Sequence, residues 1–289
     1  MISPLRPEQV AHLKTRHVVA STSGGKDSAA LSLWLTENGI EHSRVFMDTG
    51  WESPLTYEYL RGPLTAAIGP ITEIKAEKQM IELVLHKGMF PSRMRRFCSE
   101  KLKVKPLIKY LSEKLDAGTE CVNAVGLRAG ENAFRATLTE WEWCDGFDAE
   151  TWRPCLPWTE QDVIDIIKRH NVPPNPLYLK GATRVGCWPC IFARKEEIRF
   201  IAELDPARIE FMEQWEAQVA EKAKARAEAK GEELPNNPAF FQARDGDGRC
   251  VPIKEVVAWS KTARGGRQFE LIPSAPEGCV RWGLCETSE

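Results

Sequence analysis

The sequence predicts an α/β fold with a parallel sheet over residues 1–194, followed by a mainly helical region with a cysteine-containing tail over 195–289. Three observations predict it. Short apolar runs alternate with amphipathic stretches through the first half, the pattern of strands and crossover helices in a parallel sheet. A glycine-rich turn, Ser23-Gly24-Gly25-Lys26-Asp27-Ser28, sits where the first strand hands over to the first helix. From about Lys195 the chain becomes rich in Ala, Glu, Lys and Arg.

His17 to Ser21 reads as the first strand, and a helix follows from about Asp27 to Asn38, with Leu31, Trp34 and Leu35 on one face and Gly39 ending it. Arg44 to Met47 is the second strand and runs into Asp48-Thr49-Gly50. Ile71 to Ile74 and Cys121 to Val125 supply further strands, with helices near Lys78 to His86 and Lys101 to Leu115 between them. Thr159 and Asp162 make a capping box for a helix that carries Val163, Ile166 and Ile167 and stops near His170. Ile198, Ile201, Leu204 and Phe211 predict long, partly packed helices between Lys195 and Lys230. Glu221 to Lys230 holds only charged residues and alanine; it reads as a solvated face, with a nucleic-acid contact as the alternative. Gly231 to Pro238 reads as a linker.

Composition bounds the function. With 289 residues, 43% hydrophobic and 28% charged, the chain can bury a full core, and its net charge of -2 exerts no global pull on nucleic acid. It contains no apolar run of about 18 residues, and Met1-Ile2-Ser3-Pro4 lacks a secretory pattern, so no membrane partner and a cytoplasmic location are expected. Nine cysteines, an odd number, point to metal binding or catalysis rather than to disulfides in such a compartment.

The glycine-rich turn has the chemistry of an anion site. Gly24 and Gly25 let the backbone turn tightly and aim several N–H groups at one anion, and the following helix adds positive potential. Lys26 supplies a full charge, and Ser23 and Ser28 supply hydroxyls. The spacing differs from Walker A, which needs four residues between its first glycine and the Gly-Lys pair. Further on, Arg128 and Arg135 are spaced to serve one polyanion from a loop and the first helical turns, with ion pairing to Glu131 as the plainer reading.

Ser23 to Ser28 resembles the PP-loop of the adenine nucleotide alpha-hydrolase-like superfamily, whose domain is Rossmann-like. Within it the chain is most similar, from about Val18 to Ile191, to the phosphoadenylyl-sulfate reductase family. Asp48-Thr49-Gly50, Gly126-Leu127-Arg128-Ala129-Gly130-Glu131 with Arg135, Pro157 to Val163, and Asn175-Pro176-Leu177-Tyr178 resemble its successive motifs. The resemblance implies a nucleotide site formed by Ser21, Ser23, Gly24, Gly25, Lys26, Asp27, Ser28, Asp48, Thr49, Gly50, Gly126 and Arg128, with Lys26, Asp27, Arg128 and Arg135 in the chemistry. The substrate implied is ATP or an adenylyl sulfate, with magnesium as an accompanying ion.

Cys187-Trp188-Pro189-Cys190 brings two thiolates to chelating distance, a spacing that zinc, iron-sulfur clusters and redox pairs all use. Cys98, within Phe97-Cys98-Ser99-Glu100-Lys101-Leu102-Lys103-Val104-Lys105-Pro106-Leu107, resembles the cysteine-plus-helix segment of iron-sulfur adenylyl-sulfate reductases, although Phe97 stands where those have a second cysteine. The resemblance therefore implies that Cys98, Cys187 and Cys190 ligate a 4Fe-4S cluster or, alternatively, zinc. The fourth ligand comes from the tail: Cys285, where Gly283 permits close approach, is preferred to Cys279, which has Gly278 beside it. A C-terminal thiolate, with Cys279 the candidate, then attacks sulfur. Cys121, Cys144, Cys155 and Cys250 read as core or incidental thiols.

Three functions compete. A reductase holds adenylyl sulfate, and a thiol reductant completes the cycle. This reductase-like reading is preferred; the intact Gly-Gly-Lys-Asp-Ser loop and the Gly-Leu-Cys-Glu ending depart from the reductases and give as alternative an ATP-dependent transferase that activates a sulfur acceptor, or an ATP sulfurylase-like adenylyltransferase. A nucleic-acid-modifying enzyme is the third, unsupported by net charge. Each allows a homo-oligomer.

Overall fold

A computed structural model describes residues 2–233, 236–263 and 282. Six strands form one sheet in the order β3-β2-β1-β4-β6-β5, where β1 is His17–Thr22, β2 His42–Asp48, β3 Ile71–Lys75, β4 Cys121–Ala124, β5 Trp141–Cys144 and β6 Ala149–Trp152. All neighbours run parallel except β5, which pairs antiparallel with β6. The fold class is therefore the α/β parallel-sheet class expected, with helices following it.

Period-two alternation sorts the central strand between two cores. Val18 and Ala20 of β1 point into a layer with Leu31 and Trp34 of the Lys26–Glu37 helix and Val163 and Ile167 of the Glu160–Arg169 helix. Val19 points the other way, onto Leu107 and Leu111 of the Lys105–Asp116 helix. The expected capping box is formed: the Asp162 N–H donates to Thr159 Oγ1 at 3.1 Å and the Thr159 N–H to Asp162 Oδ2 at 2.9 Å. Gly39 takes φ +66 just beyond the Lys26–Glu37 helix, and Ile40 N–H closes back on Leu35 O at 2.9 Å.

Two π turns interrupt helices, Leu60–Leu64 and Glu100–Val104. Each involves a proline, Pro63 and Pro106, whose missing N–H cannot close an ordinary helical bond. A second core joins the sheet's helices to the C-terminal ones. Trp51, Phe90 and Phe97 pack there with Trp215 of the Pro206–Lys230 helix, Phe240, and Ile253 of the Ile253–Ser260 helix. Glu216, buried in this core, accepts the Phe240 and Ile253 N–H groups at 2.8 and 2.9 Å. Glu221–Lys230 continues the Pro206–Lys230 helix, mostly exposed, as the sequence suggests. Among the described residues no helix is long and apolar enough to cross a membrane.

Candidate functional site

The sheet changes direction beside β1: β2 and β3 lie on one side of it and β4 on the other. Crevices at such switch points, outside the carboxyl ends of the strands, are where open parallel sheets hold ligands. Ser23 to Ser28 leaves β1 at this point and Gly126 to Arg128 follows β4.

The turn is held by its own hydroxyls and by three other segments. The Ser23 N–H donates to Ser28 Oγ at 3.1 Å, and Ser28 Oγ donates to Gly25 O at 3.0 Å. Gly24 sits at φ +73, and a Cβ there would lie 2.9 Å from Thr56 Cγ2. Asn175 Nδ2 donates to Gly24 O at 3.1 Å, and the Lys26 N–H donates to Tyr178 Oη at 3.2 Å. Gly126 approaches so closely that a Cβ would meet the Asp27 carbonyl oxygen at 2.9 Å. Lys26 is only 8% exposed, its Nζ 3.2 Å from Glu160 Oε1, 3.8 Å from Asp27 Oδ2 and 5.1 Å from the centre of the Tyr178 ring. Arg128, also 8% exposed, donates from Nε to Asp27 Oδ1. Trp282 packs its ring 5.9 Å from that of Tyr178.

Ser21 is half-buried in β1, paired with Val45. At the end of β2, Asp48 Oδ1 accepts from the Gly50 N–H at 2.8 Å and from Tyr57 Oη at 2.6 Å, and Lys75 Nζ lies 3.2 Å from Oδ2. Burial alone would raise this carboxyl, but those donors and the Lys75 charge hold it below the usual carboxylate range. Thr49 Oγ1 donates to the buried Glu52 at 2.8 Å. Arg135 pairs with Glu131 within a pair of short 3-10 turns.

The cysteine turn is fastened to the strand-end segment. The Trp188 N–H donates to Trp51 O at 2.8 Å, Trp51 Nε1 donates to Pro189 O at 2.9 Å, and Glu52 and Cys187 form an antiparallel bridge. Cys98 comes from the other side, and the three thiols Cys98, Cys187 and Cys190 line one cavity of about 110 Å³ with Lys103 and Thr49. Burial pushes the Cys187 thiol up to about 11, while the Lys103 ammonium pulls the other way; Lys103 is itself raised, chiefly by Cys187. The described residues include no group of three or more His, Cys, Asp or Glu side chains arranged to hold a metal ion. Cys279 and Cys285 lie outside the described residues. Cys121 and Cys155 are buried, and Cys144 and Cys250 are half-exposed.

The sequence reading missed Glu160 as a partner of Lys26, and Glu52 and Lys103 at the cysteine turn. Glu160 lies inside the Pro157 to Val163 motif and Lys103 inside the Phe97 to Leu107 segment, but neither is given a role there.

Comparison with known proteins gives the family. The sequence profile of the phosphoadenosine phosphosulfate reductase domain matches residues 17–193, more than half of the chain. The chain belongs to that family. Among reductase-domain relatives, an uncharacterized 37.8 kDa protein of Escherichia phage 186 is 31% identical over 336 aligned positions, covering 93% of this chain and 96% of that one. An adenosine 5'-phosphosulfate reductase of Allochromatium vinosum is 35% identical over 96 residues, 33% of this chain and 35% of that enzyme. A solved phosphoadenylyl-sulfate reductase of Candida auris, a phosphate complex, aligns with TM-score 0.46 at 19% identity over 65% of this chain and 98% of its own. The reductase-domain chain is thus a member of an adenine-nucleotide enzyme family.

Proposed function

We propose that the chain binds ATP or an adenylyl sulfate at Ser23 to Ser28 and carries out sulfur chemistry beside an iron-sulfur cluster held by Cys98, Cys187 and Cys190. The observation that carries this is the burial of Lys26 and Arg128, two cations each 8% exposed, at the carboxyl end of the sheet's switch point. Two nearly buried charges, Lys26 in the first turn of the Lys26–Glu37 helix and Arg128 in the loop after β4, suit a polyanion that leaves water on binding. The phosphates lie on the Gly24 and Gly25 backbone and on Lys26, with magnesium accompanying them, and Asp27 keeps Arg128 aimed at the same place. Ser21, Asp48, Thr49, Gly50 and Gly126 line the path of the adenosine. Catalysis then rests on positioning and charge stabilisation.

The three thiols that line one cavity are a donor set that an iron-sulfur cluster or zinc can take, and the resemblance to cluster-bearing reductases favours the cluster. Lys103 offsets the negative charge that thiolates bring. Cys285 is the proposed fourth ligand, with Cys279 the alternative. When bound, the cluster supplies electron or sulfur relay next to the nucleotide.

In the reductase reaction the Cys279 thiolate attacks the sulfur of the adenylyl sulfate, AMP or its 3'-phosphate leaves, and a thiol reductant releases sulfite. The intact Gly24-Gly25-Lys26-Asp27-Ser28 sequence favours a second reading, in which an acceptor oxygen attacks the α-phosphorus of ATP and pyrophosphate leaves. Labelled ATP and labelled adenylyl sulfates, each incubated with anaerobically purified protein, separate the two: sulfite and AMP identify the reductase, pyrophosphate the transferase. Failure of every adenine nucleotide to bind refutes both.

A further inference from the structure

A second, larger cavity of about 720 Å³ opens beside the cysteine turn. Cys187 and Cys190 form part of its wall, and Val185, another wall residue, is the neighbour a Gly25 Cβ would meet at 3.9 Å, so this space adjoins both the thiols and the phosphate loop. Five cationic side chains line it, Arg96, Lys103, Arg135, Arg184 and Arg194, against two carboxylates, Glu196 and Glu197. Arg184 and Arg135 are paired to carboxylates, but Arg96 and Arg194 are exposed and have none within ion-pair distance among the described residues. Arg96 continues an exposed basic run with Arg93 and Arg95, and its guanidinium lies 5.1 Å from the Phe192 ring. Phe134, also a lining residue, is 72% exposed.

We propose that this cavity receives a single-stranded nucleic acid as the acceptor, with phosphodiesters on Arg96 and Arg194 and one base stacked on Phe134. It deepens the second reading of the proposed function, the ATP-dependent transfer, and rests on it for the position of the reacting nucleotide. A sulfate or phosphate fills only a small part of such a volume, which is in the range of sites for drug-sized ligands. A wet aromatic ring among unneutralised arginines is what a strand uses, since bases stack on rings while the backbone follows the charges. The net charge of -2 does not oppose this, because binding is governed by the charge where the strand lies.

The test uses the full-length protein and a labelled oligonucleotide of roughly ten nucleotides, followed by fluorescence anisotropy across a salt series. The Arg96→Gln/Arg194→Gln double variant is expected to flatten the slope of log affinity against log salt by about 1.4, the value for two phosphate contacts on a single strand. Phe134→Ala is expected to weaken the strand about 5- to 150-fold. All three residues are exposed, so the variants fold, and their calorimetric affinity for adenine nucleotides stays that of the parent. Lys26→Ala shows the opposite pattern, keeping the strand and losing the adenine nucleotide. Strand affinity unchanged in both cavity variants overturns the inference. So does an acidic peptide of equal charge that binds as tightly, or strand binding that ATP displaces and Lys26→Ala abolishes. A parent that binds the strand with the expected dependences but no adenine nucleotide refutes the phosphate-loop reading while the cavity assignment stands.

Discussion

Arg128 Nε donates to Asp27 Oδ1, joining the loop after β4 to the first turn of the helix after β1 across 101 residues of sequence. Both side chains are largely buried, so removing one partner leaves the other with no water to replace it. Arg128→Met is expected to cost about 3 kcal/mol of stability. A double-mutant cycle with Asp27→Asn, read by urea denaturation, should give a coupling energy well above about 0.5 kcal/mol. Strict additivity would remove the pair from the account.

Lys26→Ala should leave the chain folded, with a lowered melting transition because Glu160 and Asp27 lose a buried partner, and weaken adenine-nucleotide binding by roughly 10- to 150-fold, the worth of one charge-assisted contact of about 1.5–3 kcal/mol. Calorimetry with ATP, AMP and an adenylyl sulfate checks it. Unchanged affinity for all three would show that the phosphates lie elsewhere.

Gly126→Ala puts a methyl group 2.9 Å from the Asp27 carbonyl oxygen, 3.1 Å from its carbon and 3.2 Å from Ser28 N. All three are backbone atoms, so no side chain can swing aside. The loops must part, at about 1–3 kcal/mol, and the nucleotide site opens with them. Thermal melting and nucleotide titration of the variant should fall together; a variant as stable as the parent contradicts the close approach.

His42 is buried, with its ring nitrogens 2.7 Å from Ser32 Oγ and 2.8 Å from Ile40 O. Burial, and to a lesser degree Arg44, lower it from 6.5 to about 4, against a raising effect from the Ile40 carbonyl. Between these two values the unfolded chain binds the extra proton and the folded chain does not, so stability rises with pH there. The contribution, on the order of 3 kcal/mol, is fully present above pH 6.5 and is lost as pH falls toward 4. Urea midpoints of parent and His42→Gln, compared from pH 4.5 to 7.5, should converge toward the acid end; parallel curves exclude it.

For the cluster, protein purified without oxygen should be coloured and contain iron, and Cys98→Ala, Cys187→Ala and Cys190→Ala should each lose it. One of Cys279→Ala and Cys285→Ala should do the same. A colourless parent with stoichiometric zinc contradicts the assignment.

What could be read from the sequence follows from the range of the forces involved. The strand-to-helix turn and the Thr159–Asp162 box are closed within a few residues, so local residue types specify them. The β5–β6 hairpin, by contrast, is missing from the strands read off the sequence, which stop at Cys121 to Val125. There Trp141 stacks on Trp152 at 5.1 Å, and that packing partner is not visible in a linear pattern. The same reason hides Glu160 from Lys26 and Lys103 from Cys187: each pair is made by topology, and a lone lysine or glutamate carries no address. The Arg135–Glu131 pair shows the converse, because an i,i+4 spacing can be read directly from the sequence.

The Trp51 clasp has a consequence for how this chain could diversify. One indole ties the end of β2 to the backbone of the cysteine turn, and Arg208 lies 4.3 Å over the same ring from the helical side. The adenosine end and the thiol end of the proposed site are therefore welded to one rigid frame, whose separation cannot be tuned without dismantling a core. New acceptors have to be accommodated by the segments around Phe134 and Arg184, which carry little of that core. Change of substrate is then a matter of remodelling two surface loops, and relatives with different acceptors should differ there first.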